Sequence, residues 1–164
     1  MGQAAYCSRT AADNTKLGPA KVAYKNYVNS KYGYSVEYPT FLVPQGEPDA
    51  HDGQKFISES SPMRMSVWGT YSNWMSGEDM TIQQELDWTL QNLQSDDRTS
   101  PRLTYKSQGR GWFVISGTSG PGVFYQRTVS SHGVFATVLI EYPRSAKVEF
   151  DSIVTHVARS LKGP

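Results

Sequence analysis

Three histidines, one cysteine and scattered serines and carboxylates are the residues with which this sequence could do chemistry. His51 lies in Asp-Ala-His-Asp-Gly, where Asp49, His51 and Asp52 offer donors that could share a cation. Metal sites commonly need three or more ligands brought together by folding. One short stretch punctuated by Gly46, Pro48 and Gly53 reads instead as a polar turn. His132, in Ser-Ser-His-Gly, has the composition of a hairpin turn, and His156 stands among polar positions of the closing segment, as a solvated side chain or a local hydrogen-bond donor. Cys7 has no second cysteine with which to form an internal disulfide or a metal cluster, and Tyr6 before it argues against a lipid anchor.

The hydroxyls and carboxylates are equally dispersed. GTSGPG lacks the residue between Ser119 and Gly120 that a nucleophile elbow needs, and its proline suits a turn. QGRG lacks the lysine and the hydroxyl residue of a phosphate-binding loop. Glu78-Asp79 and Asp96-Asp97 flank the two ends of one helical segment, where the first pair favours the helix N-terminus electrostatically. No catalytic set, metal or cofactor is expected from these patterns. The stretch WGTYSNWMSGEDM is different, because it crowds Trp68, Tyr71, Trp74, Met75 and Met80 among small polar residues. Large aromatics and methionine are enriched at the centres of protein interfaces. Trp68, Tyr71, Trp74 and Met75 are therefore the candidate partner-binding residues, against the alternative that they close the end of the core under the helix.

These groups have to be positioned by a chain of 164 residues, enough to bury about two-thirds of its unfolded surface as one domain. A net charge of +1 gives no electrostatic case for nucleic acid, an acidic membrane surface or a polyanion, so the expected partner, another protein, is not chosen by bulk charge. No apolar run approaches the ~18 to 20 residues that span hydrocarbon, so no membrane insertion is expected. Residues 1–21 are small, polar and without hydrophobic period, as for the flexible mature N-terminus left after a signal peptide is removed. Residues 22–163 form the single ordered domain. Aromatics at 12%, ten of them tyrosine, with frequent Ser, Thr, Gly and Val, favour a sheet-rich chain.

Periodicity supplies the elements. In YKNYVN and YSVEYP, Tyr27, Tyr34, Val36 and Tyr38 alternate with Tyr24, Asn26, Val28, Ser35 and Glu37, a β-hairpin turning at Ser30 to Gly33 and stopped by Pro39. FLVP is an apolar foot of the loop that follows. QKFISES and MRMSVWGTY are two strands with Phe56, Met63, Met65, Val67 and Trp68 inward. A helix over about 81–94 carries Ile82, Leu86, Leu90 and Leu93 as a stripe, with Thr81 and Gln84 in capping-box spacing. Four strands joined by short Gly-containing turns follow, necessarily antiparallel, with VFATVLIEY central and covered on both faces. The last segment is an amphipathic helix capped by Ser145 and ended by Lys162-Gly163, with Phe150, Ile153, Val154, Val157 and Leu161 buried. The sum is an α+β domain, a mainly antiparallel sheet sandwiched between helices.

Those residues carry a resemblance. Y-x-N-x-x-Y-G-Y-S-V-x-Y-P in the hairpin, DGQKFIS, GWFVISG followed by FYQRT, and ATVLIEYP before the closing helix resemble exported bacterial proteins with the fold of PsbP, the extrinsic protein of the photosystem II oxygen-evolving complex. The resemblance spans about residues 22 to 162 and implies the PsbP-like α/β/α sandwich, an extracytoplasmic and periplasmic setting, and a non-catalytic binding or accessory role such as an immunity or assembly factor. It carries over no catalytic, metal or docking residue. A small apolar ligand held between sheet and helix is the alternative, with a hydrolase built on His132 or His156 third.

Overall fold

The computed structural model describes residues 21–94 and 101–164. Cys7, residues 1–20 of the expected N-terminal arm and Asp96-Asp97 lie outside the described residues.

Seven strands form one antiparallel sheet, in the spatial order β3-β4-β5-β9-β8-β7-β6. They are β3 (Val43–Pro44), β4 (Gly53–Ile57), β5 (Arg64–Tyr71), β6 (Arg102–Gly109), β7 (Trp112–Ser119), β8 (Gly122–Ser131) and β9 (Val134–Pro143). The chain leaves the sheet after β5, crosses through α1 (Ile82–Gln94), and returns by the meander β6 to β9 until β9 pairs with β5 over its whole length. β9 is thus central, and Val134, Phe135, Ala136, Thr137, Val138 and Ile140 are all buried, as its largely apolar run predicts. Thr137 is tolerated there because its hydroxyl meets that of Thr128 at 2.8 Å.

The two faces of the sheet are covered differently. On one, Leu86 of α1, flanked by Ile82, Leu90 and Leu93, packs on Phe113, Ile115 and Phe124. Thr81 and Gln84 form the expected capping box, Gln84 N–H to Thr81 Oγ1 at 3.2 Å and Thr81 N–H to Gln84 Oε1 at 2.8 Å. On the other face lies α2 (Lys147–Ser160), with Phe150, Ile153, Val154 and Val157 against Met65, Val138, Ile140 and Tyr142. Beside α2 sits the hairpin of β1 (Tyr24–Val28) and β2 (Ser35–Pro39), which forms its own two-stranded sheet. Tyr34, Val36 and Tyr38 point into the core, as their alternation predicts.

Four local expectations are corrected. Part of FLVP pairs with β4 as the short edge strand β3. Trp68 does not point inward with Val67, because successive strand residues face opposite sides. It lies on the α1 side of β5, half-buried. Ser145 does not cap α2; it lies inside a 3-10 turn, Arg144–Ala146, that runs directly into the helix. Nor does a C-terminal glycine end α2. Leu161 turns extended, and Lys162 exchanges backbone hydrogen bonds with Ser35 at 3.0 and 2.9 Å, so the hairpin stops the helix.

The hairpin turn is organised by Asn29, which is fully buried. Its Oδ1 accepts the N–H groups of Lys31 at 3.1 Å and Tyr32 at 2.8 Å, an Asx-type turn. Its Nδ2 donates to the Tyr27 hydroxyl at 3.1 Å and to the His51 carbonyl at 3.0 Å, tying the turn to the loop before β4. Truncation would orphan several of these groups in a buried setting. Asn29→Ala is expected to cost about 2–3 kcal/mol in denaturant unfolding, and a loss below half a kcal/mol would show that the turn is set by its neighbours instead.

Candidate functional site

The tip between β5 and α1 is held at both ends. Ser72 N–H donates to Gly133 O at 2.8 Å, fixing the tip's start to the β8–β9 turn. Met80 N–H donates to Ser72 O at 3.0 Å, and Ser72 Oγ donates to Asp79 Oδ1 at 2.5 Å, which closes the tip on itself. Gly77, at φ 81°, makes the bend between.

This frame brings two of the four candidate residues together and leaves the others elsewhere. Trp74 and Met75 stand side by side at the tip, 42% and 48% exposed. Trp74 meets Trp88 of α1 edge to face, with ring centroids 4.9 Å apart. Met75, Met80 and Trp88 then line a groove of about 540 Å³ along the outer flank of α1, with Gln84, Asp87 and Gln91. Tyr71 lies on the opposite sheet face, edge to face with Tyr32 at 4.9 Å. Trp68 lines a separate groove of about 370 Å³ with Gln45, Pro48 and Gly53.

Trp88 and Glu85 were not among the candidates. The available signal for Trp88 is its place outside the 82, 86, 90, 93 stripe, where a tryptophan has no core to fill. Glu85 is 8% exposed, and one carboxylate oxygen, Oε2, is buried with no hydrogen-bond partner. Burial pushes its pKa above the ordinary carboxylate value, while the facing Trp74 indole N–H partly favours the charged form.

The histidines take three different places. His51 adopts a left-handed backbone, φ 50°, and its Nδ1 sits 3.2 Å from Glu47 Oε2. The Tyr27 hydroxyl donates to the other Glu47 oxygen at 2.6 Å. That bond, followed by His51, holds the Glu47 pKa below its usual value. The loop of Asp49, His51 and Asp52 is therefore strapped to the hairpin, with the carbonyls of Ala50 and Asp52 accepting from Lys31 Nζ and the Tyr34 hydroxyl. Among the described residues no three His, Cys, Asp or Glu side chains are grouped to hold a metal ion. His132 occupies the β8–β9 turn, with Nδ1 2.9 Å from Ser131 Oγ and 2.8 Å from Pro164 O.

His156 also meets a carboxylate, here between α2 and the hairpin. Its ring stacks on Tyr24 at 3.8 Å, and Nε2 lies 2.5 Å from Glu37 Oε2, joining α2 to the outer face of the hairpin. Ser152, Thr155 and Ser160 line the same polar groove, of about 580 Å³. The Ser160 hydroxyl donates to Val157 O at 2.7 Å and accepts Glu37 N–H at 2.9 Å. Its proton is engaged by a carbonyl rather than facing the imidazole.

Because burial raises the folded-state pKa of Glu85, the folded chain holds that proton more tightly than the unfolded chain does. The resulting stability is fully present below the unfolded value of 4.5 and is lost as pH rises through the folded pKa. Glu85→Gln removes the charge while keeping the shape. It is expected to unfold at higher denaturant than the parent near neutral pH, the gap closing at pH below about 4.5. An equal or lower midpoint at neutral pH would contradict this.

No family model and no curated protein matches the chain. Among solved structures it is similar to the solution structure of cyanobacterial PsbP (CyanoP) from Synechocystis sp. PCC 6803, with a TM-score of 0.68 and 14% identity, over 90% of this chain and 96% of that one. The chain has the PsbP-like α+β fold, an antiparallel sheet between helices.

Proposed function

We propose that this protein is a non-catalytic binding or accessory module, exported to the bacterial periplasm, that docks another protein through the surface of Trp74, Met75 and Trp88. The observation that carries the reading is the exposure of these three large side chains, Trp88 at 37%, beside one groove on a braced tip. Tryptophan anchors give much of the affinity in protein interfaces, and methionine adapts its shape to a partner. Roles of this kind include an immunity protein and an assembly factor. The exported setting is supported by the likeness of the hairpin and strand motifs to exported proteins of this fold. No helix among the described residues is long and apolar enough to cross a membrane.

Met75 and Trp88 are partly in solvent already, so Met75→Ser with Trp88→Ser should leave the fold intact by circular dichroism. In affinity capture from the native envelope fraction, the parent should retain a specific protein. The double variant should weaken that retention by about 2 kcal/mol, roughly thirtyfold in affinity. Equal retention by both would rule this surface out.

A second reading has its own observation. A groove of about 910 Å³ lies between the hairpin and α2, floored by Val22, Tyr24, Phe41, Phe150 and Ile153. That is the size of a ligand pocket. If it takes a small apolar ligand, an environment-sensitive apolar dye should bind saturably, and Ser60→Trp, which adds bulk at a lining residue, should weaken binding at least tenfold. A dye signal that never saturates removes this alternative.

A further inference from the structure

The tip and α1 carry charge of one sign only. From Ser72 to Gln94 the chain carries Glu78, Asp79, Glu85 and Asp87 and no Lys, Arg or His, although the whole protein has a net charge of +1. All 16 Lys and Arg residues therefore lie outside the tip and α1. Among the described residues, none of these four carboxylates forms an ion pair. Asp79 is engaged by Ser72, and Asp87 only accepts the amide of Gln83 at 2.8 Å. Glu85, beneath Trp74, keeps a buried oxygen without a partner.

The shape of the groove selects among cationic occupants. Met80, Gln84, Asp87, Trp88 and Gln91 succeed one another at the spacing of helical turns, so the groove runs parallel to α1. From Gln84 to Gln91 it extends about 10 Å along the helix at 1.5 Å per residue. Apolar contact comes from Met75, Met80, Trp88 and Leu90, with Trp74 beside it against Trp88, while Asp87 lines its side and Glu78 N–H donates to Ser76 of the lining at 3.4 Å. A segment laid along such a groove matches it by presenting one apolar face and cationic residues at its margins. That is the helix-in-groove mode of recognition, with methionines conforming to the apolar side and carboxylates neutralised by the flanks.

We propose that this surface binds a basic amphipathic helix of its partner protein, its apolar face against Trp74, Met75, Met80 and Trp88 and its Lys or Arg residues against Glu78 and Asp87. The assignment rests on the docking surface proposed above and adds the chemistry of the occupant.

The test uses the full chain and two synthetic helices that share a leucine face, one with lysine and the other with glutamate on its polar face, with binding read by tryptophan fluorescence. The lysine helix is expected to bind at least tenfold tighter than the glutamate helix, and its affinity to fall as salt is added. Glu78→Lys with Asp87→Lys should reverse the order of the two peptides without touching the core. Met75→Ser should weaken the lysine helix severalfold, and serves where Trp74→Ala fails to fold. Equal binding of both peptides, or an order unchanged by the charge reversal, overturns the proposal. If the double variant Met75→Ser with Trp88→Ser still loses the native partner, the docking surface stands and only the basic helix is wrong. If the lysine helix binds as expected but native capture is unaffected by that variant, the groove's chemistry stands and the docking role falls.

Discussion

A sheet with apolar side chains on both faces must be covered twice, and the rest of this structure answers that requirement. β9 buries alternate residues on each side; β5 adds Met65 and Val67 to the α2 side, while β8 gives Val123 to that side and Phe124 to the other. Each face receives one helix, and neither helix is broad enough to finish the cover. On the α2 side the remainder is supplied by the hairpin, whose Tyr34 lies over β5. Gly69 permits that contact: a Cβ there would stand 2.8 Å from the Tyr34 ring and 2.9 Å from that of Tyr32. A glycine in a strand interior loses packing of its own, and here the space is filled by two aromatic rings from the hairpin's connecting turn.

On the α1 side the cover is completed by a loop, and the consequence is different. A hairpin can bury one entire face because its side chains alternate, but a tip of ten residues between Tyr71 and Ile82 cannot direct every large side chain inward. Trp74 closes over Glu85 and rests its edge against Trp88, yet both rings keep over a third of their surface in solvent. The exposed patch thus arises where an irregular segment substitutes for regular structure on an apolar face. The burial of Glu85 has the same origin, since the carboxyl group follows its helix under the tryptophan.

The parts legible in the sequence were those governed by a single period. Alternation in YSVEYP, the 82, 86, 90, 93 stripe and the capping box of Thr81 and Gln84 depend on neighbours a few residues away, and each was realised. What the sequence did not disclose depends on contacts across long separations. Nothing near Leu161 says that α2 will end by bridging to Ser35, and nothing in the hairpin says that it will stand apart from the main sheet instead of extending it. Asn29 is concealed for the same reason. It reads as an ordinary turn residue, and its role as a buried hub appears only when the loop carrying His51 docks against it. Of the candidate residues, Tyr71 and Trp68 are separated by the pleat: an odd and an even position of one strand cannot share a face, however close they lie in sequence.

The strand order also explains how a loop can be exposed and yet firmly placed. Because β5 and β9 are neighbours, the tip begins beside the turn that starts β9, where Tyr71 pairs with Val134 and Ser72 bonds to Gly133. Its far end enters a capped helix seated on β7. The two anchors belong to segments distant in sequence, so the position of Trp74 is fixed by the completed sheet and not by the loop alone. A surface prepared in this way loses less conformational freedom on binding than a free loop would. Side chains held by a scaffold on an otherwise irregular segment are the arrangement in which loops carry recognition. In this molecule, that arrangement occurs where the acidic flank of α1 meets the exposed tryptophans.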